Sequence, residues 1–402
     1  MTFINFQIQW HITEKCPNQC KHCYMFDEEY KRRIENEKNY MELRVILDKL
    51  KEFEEKYNIF FPRIVLTGGD PMAHSDCMRL IQEIKARGKD CMLLGIPERV
   101  TDEMIIELMQ KGVSRYQVSL DGLEKTHDNI RGKGSFKKTI SALCRLSKSG
   151  IQTTCMFTLH PQNCSDLFPL IEYLEMQDIN INFAFDFFIP IGNGRKIEGV
   201  FEKEEVEKIL TEYGKKKKEL EEKGAKLHLR EKPSLYRTYN MKLGNVYYDG
   251  NEINDGCSCG VSGITILPNG DVLPCRRLPI CVGNLYNQTF EEIFLGNDLL
   301  KKMRRSTSYE LCCDCRYRSV CRGCPGHTYA MTGEVFGEYS YCYLKERREG
   351  MADCPGIETS YFEEFEFWMK ARFNNMDNFG NIPFKQVFDR YGKDIKCIFD
   401  NL

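Results

Sequence analysis

The cysteines of this 402-residue chain are concentrated in two dense groups, and this clustering constrains the fold more than any other sequence feature. Three of the 20 cysteines, Cys16, Cys20 and Cys23, lie within eight residues near the start. Five more lie within thirteen residues, from Cys312 to Cys324. The chain is large, has a normal apolar fraction and begins without an export signal, so a secreted disulfide framework is disfavoured. We therefore interpret the clustered cysteines as metal ligands.

Charge and hydropathy exclude two broad classes of partner. The formal net charge is −2, so the chain lacks the basic excess of a nucleic-acid-binding protein. It has no run of eighteen or more apolar residues that would cross a membrane as a helix. We expect a cytoplasmic protein with neither nucleic acid nor membrane as a partner.

The first half of the chain alternates predicted strands and helices. Residues 4–12 carry apolar side chains at every second position, the period of a strand with one buried face. Helical stripes and short apolar runs then alternate as far as a sixth predicted strand at 181–189. Such alternation predicts a parallel sheet with helices packed outside it. We expect an α/β fold in which residues 1–200 form a partial (β/α)6 TIM-type barrel.

Composition divides the rest of the chain into three segments. Residues 201–246 open with a highly charged helical pattern and are predicted to form a helical bridge. Residues 247–353 are rich in Cys and Gly, which predicts a small α+β auxiliary-cluster domain folded around metal. Residues 354–402 are aromatic and are predicted to form a helical tail, whose aromatic side chains serve core packing or help to dock a substrate.

The first cysteine group is a Cys-x3-Cys-x2-Cys loop directly after the first predicted strand. Three thiolates on one short loop can hold three irons of a [4Fe–4S] cube, which leaves the fourth iron without a protein ligand. An open iron of this kind can be chelated by a small molecule through an amine and a carboxylate. A zinc site would more often use Cys-x2-Cys pairs in even sets. The loop therefore favours a catalytic iron–sulfur cluster over zinc.

This loop, with Tyr24 directly after it, resembles that of the radical S-adenosylmethionine (radical SAM) superfamily, and the resemblance spans about residues 1–200. It implies that Cys16, Cys20 and Cys23 bind the catalytic cluster and that Tyr24 lies near the adenine of the cofactor. The implied chemistry is reductive cleavage: an electron from the cluster enters the sulfonium, and methionine and a 5′-deoxyadenosyl radical result. The radical then removes a hydrogen from an unactivated carbon, which the protein positions and shields.

Two further segments resemble cofactor-binding motifs of the same superfamily. Thr67-Gly68-Gly69-Asp70-Pro71 is similar to a GGEP segment, with Asp in place of the commoner Glu. By this resemblance Gly68 and Gly69 let the backbone approach the ligand closely, and Asp70 accepts from the cofactor's ammonium group. Ser119-Leu120-Asp121-Gly122 and the following Arg131 resemble an SLDG…HDxxRG stretch. By analogy Ser119 and Arg131 contact the ribose or carboxylate of S-adenosylmethionine.

The second cysteine group resembles the SPASM branch of the superfamily over about residues 250–345. Asn269-Gly270 predicts a hairpin that brings Cys257 and Cys275 toward each other. The resemblance implies two auxiliary [4Fe–4S] clusters, and so three clusters in all. One set of implied ligands is Cys257, Cys275 and Cys324; the other is Cys312, Cys315, Cys321 and Cys342. The sequence leaves open whether Cys259 completes the first set or that cluster keeps an open iron.

The resemblance suggests a substrate class less directly. Our main hypothesis is a peptide maturase that installs a thioether or other crosslink in a ribosomally made peptide. The first strand begins near the start of this sequence, so we expect any leader-binding module to be a separate partner protein. An electron donor such as flavodoxin or ferredoxin is also implied. The alternatives are a radical SAM modifier of a haem precursor or other small molecule, and a non-catalytic iron–sulfur electron-transfer protein.

The two residues after Cys275 bear on this choice. Sulfatase-maturing relatives carry an Asp directly after the corresponding cysteine, whereas this chain has Arg276 and Arg277. The difference argues against formylglycine formation. The sequence leaves open whether the two arginines meet an acidic substrate or local carboxylates.

Overall fold

The computed structural model describes residues 2–3, 5–26, 37–233, 235–236, 238, 256–305, 308–309, 312, 315, 317, 321–344 and 360–373. The end of the predicted helical bridge, residues 239–246, lies outside the described residues, as do residues 234 and 237. So do residues 247–255 and 345–353 of the predicted auxiliary-cluster domain, and residues 354–359 and 374–402 of the predicted tail.

A ten-stranded sheet lies at the centre of the fold. Six of its strands run parallel in chain order and form the partial barrel that the sequence predicts. They are β2 (Gln7–Thr13), β4 (Arg63–Gly68), β5 (Asp90–Leu94), β6 (Val113–Ser119), β7 (Gln152–Leu159) and β8 (Ile181–Phe187). A separate parallel pair joins β1 (Thr2–Phe3) to β3 (Ile59–Phe60).

The sheet extends beyond the six predicted strands at both edges. Strand β9 (Leu227–Arg230) adds in parallel to β8. At the opposite edge β10 (Gly263–Ile266) adds in parallel to β2 and turns back into β11 (Asp271–Leu273), which pairs with β12 (Gly283–Asn284). The hairpin predicted at Asn269-Gly270 is therefore confirmed, and the cysteine-rich segment is hydrogen-bonded to the barrel sheet.

Eleven helices are described around this sheet. They are α1 (Tyr40–Lys56), α2 (Cys77–Ala86), α3 (Asp102–Lys111), α4 (Glu124–Arg131), α5 (Ser135–Ser149), α6 (Leu167–Met176), α7 (Lys203–Glu222), α8 (Phe290–Phe294), α9 (Asp298–Met303), α10 (Pro325–Thr332) and α11 (Tyr361–Phe373). Sequence signals set the ends of α3: the Thr101 side chain caps its start, and Gly112 ends it in the left-handed conformation.

The alternation in β2 separates two environments. Ile8, Trp10 and Ile12 are fully buried in the core that includes α1, where each large apolar side chain contributes about 1.5–3 kcal/mol by burial. Gln9 and His11 alternate with them, so they project to the other face of the strand, which the barrel encloses. The polar face predicted for this strand is thus turned inward.

Helix α11 packs into the core. Trp368 is fully buried and donates from Nε1 to the carbonyl of Val261 at 2.7 Å, and Phe365 stacks on Tyr57 with ring centres 4.1 Å apart. For this part of the predicted tail, core packing is therefore the observed use. Within the described residues, no helix is long and apolar enough to cross a membrane.

Candidate active site

The main cavity of the described structure lies at the carboxyl ends of the barrel strands, where barrel active sites are found. Its space, including the open mouth, is about 1140 Å³. Its walls come from the ends of β4 to β8, from the loop after β2 and from the segment after β11.

The three cysteines of the first group line this cavity together. Burial, together with the smaller effects of the neighbouring Cys20 and Cys23, raises the pKa of the Cys16 thiol to about 12. Burial likewise raises the pKa of Cys23. Crowded, buried thiols of this kind ionise readily only when a cation compensates their charge. This donor set fits an iron–sulfur cluster, which binds thiolates.

Backbone hydrogen bonds hold the cysteine loop against the barrel. The Lys21 amide donates to the carbonyl of Ile130 at 3.0 Å, and the Asn193 amide donates to that of Cys23 at 3.0 Å. A Cβ on Gly192 would lie 2.6 Å from the Tyr24 carbonyl oxygen, so the turn after β8 packs tightly on the loop. In the sequence, only the glycines of residues 190–194 indicate this turn, and they are a weak signal.

Gly68 and Gly69 line the cavity, and both pack against the backbone of the loop that leads to Cys16, where a side chain would collide with it. Gly68 has a φ of +139°, and an added Cβ would lie 1.9 Å from the carbonyl oxygen of Thr13. A Cβ on Gly69 would lie 2.3 Å from that of Lys15. The glycines thus let the end of β4 approach the cysteine loop closely.

Asp70 follows β4 and lies close enough to Cys16 for their charges to interact. Its carboxylate is buried, accepts from Arg99 Nε at 2.9 Å and caps the short turn that begins at Pro71 by accepting from the Met72 amide at 3.3 Å. Among the described residues, the cavity walls next to it are formed by Thr67, Gly68 and Gly69 and not by Asp70. The contact with an ammonium group that the resemblance implies stays a prediction.

Arg131 lines the cavity and connects β6 to the cysteine loop. Its Nε donates to Asp121, its Nη1 donates to Cys20 Sγ at 3.7 Å, and its Nη2 lies 3.3 Å from His22 Nε2. Asp121 is fully buried; although burial alone would raise its pKa, Arg131 and the nearby histidines hold that pKa at about 2. All three donor nitrogens of Arg131 thus face protein groups, and a cofactor contact by this residue stays a prediction.

Tyr24 and Ser119 both line the cavity wall, and their contacts with the cofactor stay predictions. The Tyr24 ring packs edge-on against His11, with ring centres 6.2 Å apart. Burial raises the pKa of the Tyr24 hydroxyl to about 12, so the ring stays neutral. Ser119 is the last residue of β6, on the inward face.

The predicted cysteines of the first auxiliary site converge. The Cys259 thiol donates to both Cys257 and Cys275, and its hydrogen bond lowers the pKa of Cys275 to about 5. Cys324 is close enough to Cys257 for their charges to interact. Three thiols in contact, with Cys324 near them, match in number the four-thiolate set of a cluster.

The second auxiliary set converges separately. Burial raises the pKa of Cys321, and Cys312, Cys342 and Cys315 are close enough to raise it further. A backbone hydrogen bond from Cys315 to the carbonyl of Cys312, at 3.1 Å, closes a tight turn between two of these residues. All eight predicted auxiliary cysteines therefore fall into two groups of four.

The two arginines after Cys275 have different surroundings. Arg277 donates to the Asp186 carboxylate at 2.6 Å and to the Phe187 carbonyl at 3.1 Å, which makes it a local partner of β8. Arg276 lines the cavity with its guanidinium carbon 5.7 Å from the Tyr24 ring centre. Of the two alternatives left open by the sequence, a local carboxylate partner therefore applies to Arg277. An acidic substrate group stays a prediction for Arg276.

Sequence reasoning missed one residue of the cavity wall, His22, and one residue beside that wall, Lys232. Lys232, two residues beyond β9, brings Nζ within 3.5 Å of Sδ of Met156, a wall residue. The alternating Leu-His-Leu-Arg pattern of β9 could have predicted a strand and hence the position of Lys232 at its end. His22 lies inside the cysteine motif, between Cys20 and Cys23. Only this position in the sequence could have identified it as a residue of the cavity wall.

Comparison with known proteins agrees with this arrangement. Residues 10–174 match the radical SAM superfamily, and residues 257–325 match the SPASM iron–sulfur cluster-binding domain. The crystal structure of SuiB from Streptococcus suis superposes with a TM-score of 0.66 over 85% of this chain and 78% of that one, at 16% identity, which indicates a shared fold.

Curated relatives extend over both matched regions. The AdoMet-dependent heme synthase of Oleidesulfovibrio alaskensis is 26% identical over 86% of this chain and 89% of its own length. That of Methanosarcina barkeri is 27% identical over 84% and 96%. The Fe-coproporphyrin III synthase of M. barkeri is 24% identical over 85% and 89%.

These relatives overturn the main prediction of substrate class. A peptide maturase was inferred from cysteine motifs, but those motifs reflect the clusters and not the substrate, and the relatives that share them over this length are named for haem synthesis. The matched domains indicate that the protein uses S-adenosylmethionine and iron–sulfur clusters. The chain belongs to the radical SAM superfamily and is a radical SAM enzyme with a C-terminal SPASM domain.

Proposed function

We propose that this enzyme modifies a haem precursor, an iron-bearing tetrapyrrole, by hydrogen abstraction. The observation that carries the proposal is the match, over both domains, to relatives named for the synthesis of haem and of Fe-coproporphyrin III. The cavity supports it physically. Apolar side chains from four elements, among them Leu94, Ile96, Met156 and Phe187, line its walls and offer the surface that a flat macrocycle requires.

Within this proposal the cysteine loop holds the catalytic cluster through Cys16, Cys20 and Cys23. When bound, that cluster supplies the electron that splits S-adenosylmethionine into methionine and a 5′-deoxyadenosyl radical. Tyr24 packs near the adenine and Ser119 lies within reach of the ribose or carboxylate. The enclosing walls keep water from the reacting carbon.

We assign the auxiliary cysteines to two further [4Fe–4S] clusters, so that the enzyme holds three. Cys257, Cys259, Cys275 and Cys324 ligate one, and Cys312, Cys315, Cys321 and Cys342 ligate the other. The contact of Cys259 with two of its neighbours favours full protein ligation of the first over an open iron. An external one-electron donor such as flavodoxin or ferredoxin completes the system.

The test uses anaerobically reconstituted enzyme, dithionite, S-adenosylmethionine and Fe-coproporphyrin III, with metal-free coproporphyrin III in a parallel reaction. We expect 5′-deoxyadenosine to form, and a tetrapyrrole of altered mass to appear in proportion to it, as measured by liquid chromatography and mass spectrometry. Deuterium placed on the substrate side chains should appear in the 5′-deoxyadenosine.

The matched control is the Cys16→Ala enzyme, which should produce neither compound. If the wild-type enzyme cleaves S-adenosylmethionine but leaves a panel of iron tetrapyrroles unchanged and unbound, the proposed substrate class is wrong while the radical chemistry stands.

A further inference from the structure

Two cations at the cavity have no carboxylate partner among the described residues. Arg276 forms no ion pair there, and its guanidinium faces the Tyr24 ring. Nζ of Lys232 lies 3.5 Å from the sulfur of Met156, a residue of the cavity wall, and forms no ion pair among the described residues. The two charges interact: burial and then the nearby charge of Arg276 lower the pKa of Lys232 to about 8, although the charge of Asp186 acts in the opposite direction.

The other cations of the cavity wall are already neutralised. Arg131 is paired with Asp121, and Arg277 is paired with Asp186 at 2.6 Å. The cavity therefore has a local surplus of positive charge at Arg276 and Lys232, beside the ring that follows Cys23. Cations held close together in a partly desolvated site repel each other, and an anionic group of a ligand would relieve that cost.

We propose that Arg276 and Lys232 together bind a carboxylate substituent of the substrate and so orient it beside the catalytic cysteines. This inference rests on the proposed function, because haem and its precursors carry propionate carboxylates on the edge of the ring. The planar guanidinium of Arg276 suits two-point recognition of a carboxylate, whereas Lys232 adds a mobile point charge. The apolar walls then hold the macrocycle face while the cations hold its edge.

The test measures binding by the Soret absorption of the ligand added to anaerobically reconstituted enzyme. Two probes share one macrocycle: Fe-coproporphyrin III, with four carboxylates, and its tetramethyl ester, with none. The variants are Arg276→Gln, Arg276→Lys and Lys232→Met. Lys208→Met, on the exposed face of α7, is the matched loss of one positive charge at a distance from the cavity. Iron content and melting temperature verify that each variant is folded.

We expect the wild-type enzyme to bind the tetracarboxylate at least about tenfold more tightly than the ester, as charge-assisted hydrogen bonds predict. Arg276→Gln should weaken binding of the tetracarboxylate about tenfold and leave binding of the ester unchanged. Arg276→Lys should recover part of the loss, Lys232→Met should lose less than Arg276→Gln, and Lys208→Met should match the wild type.

The outcomes separate this inference from the proposed function. If the wild-type enzyme binds acid and ester equally, or if Arg276→Gln binds both probes as the wild type does, carboxylate recognition by these residues is overturned while the tetrapyrrole substrate stands. Equal losses for both probes in Arg276→Gln would also overturn it, since the effect would then be one of packing. If the wild-type enzyme binds neither probe, both proposals fail.

Discussion

Arg277 donates a 2.6 Å hydrogen bond to Asp186, and this pair joins the segment after Cys275 to the end of barrel strand β8. The Arg277 amide also lies 3.5 Å from Cys275 Sγ, and its side-chain charge reaches Cys324. The same residue thus contacts the catalytic cavity wall and two predicted ligands of the first auxiliary cluster.

We predict that Asp186→Asn destabilises the enzyme by about 1–3 kcal/mol, because Arg277 then lacks its charged acceptor in a half-buried site. The melting temperature of the reconstituted enzyme should fall, and iron should be lost more readily to a chelator. Asp178→Asn removes a carboxylate from an exposed pair with Lys226 and should change little. Equal melting of the two variants would show that the Arg277 contact does not stabilise the auxiliary site.

The hydrogen bond from Arg131 to Cys20 leads to an electrochemical prediction. A cationic donor to a ligand sulfur stabilises the reduced, more negative cluster, so Arg131→Met should lower the midpoint potential of the catalytic cluster. A change of roughly 50 mV is expected, the one-electron equivalent of about 1 kcal/mol. Redox titration followed by electron paramagnetic resonance measures it, with Lys133→Met, an exposed charge just beyond α4, as the control. A potential that is unchanged in Arg131→Met but shifted in the control would refute the assignment.

Cysteine substitutions distinguish the catalytic site from the auxiliary sites. Cys16→Ala should abolish 5′-deoxyadenosine formation, because the loop then lacks a third thiolate to hold the cluster. Cys315→Ala should instead lower stability and tetrapyrrole modification, since metal binding contributes to folding. Iron content should fall from about twelve to about eight per chain in either variant. Formation of 5′-deoxyadenosine by the Cys16→Ala enzyme would mean that the catalytic site is assigned wrongly.

Local sequence patterns predicted the six barrel strands because each one carries its own period, buried run or turn. They did not predict that β10 adds to β2, since that pairing joins Ile264 to Ile8 across most of the chain and depends on tertiary packing. Strand β9 was missed because four residues after a long charged helix give a weak signal. The helical bridge predicted for 201–246 therefore includes a strand of the barrel sheet.

The residues of the cavity could be predicted from the sequence to a similar extent. Motifs with fixed spacing identified the cysteines, Tyr24 and Ser119, because these positions follow strand ends. Nothing in the pattern separates Arg276 from Arg277, since their opposite surroundings depend on how the backbone turns between Cys275 and Leu278. The substrate class was mispredicted because the cysteine motifs indicate cluster binding and not the substrate.

His127 provides a prediction about pH. It is fully buried, its Nδ1 accepts from the Asp121 amide at 2.9 Å, and burial lowers its pKa from 6.5 to about 4. The unfolded chain binds a proton in this range and the folded one does not, so stability is complete above pH 6.5 and is lost as the pH falls toward 4. His127→Asn keeps an acceptor for the amide without titrating.

The difference in melting temperature between wild type and His127→Asn should therefore change between pH 6.5 and 4, in favour of the variant at the acid end. The expected contribution is at most about 3 kcal/mol. Because both proteins carry the same clusters, acid loss of iron affects them alike. A difference that stays constant across this range would exclude His127 as a source of acid sensitivity.

Glu364 connects helix α11 to the rest of the fold through ion pairs with Arg304 and Arg305. It accepts from Arg304 Nε at 2.7 Å and from Arg305 at 2.8 Å, and neither Arg304 nor Glu364 is exposed to solvent. Burial lowers the pKa of Arg304 to about 10, although the adjacent Glu364 carboxylate acts in the opposite direction. Without that carboxylate, the free energy of the buried cation would be much less favourable. Glu364→Gln should therefore cost about 3–5 kcal/mol.

The loss of stability in Glu364→Gln should appear first as detachment of α11 from the core. Without the ion pairs of Glu364, only the packing of side chains such as Trp368 and Phe365 holds this helix in place. Of the two tryptophans in the chain, only Trp368 lies in α11, so a red shift of fluorescence in Glu364→Gln, absent when Trp368→Phe is added, reports that detachment. Glu366→Gln changes an exposed carboxylate of the same helix and should retain the wild-type spectrum and melting temperature. If Glu364→Gln matches Glu366→Gln in both measurements, packing of Trp368 and Phe365 alone holds α11 in place and the buried ion pair adds nothing.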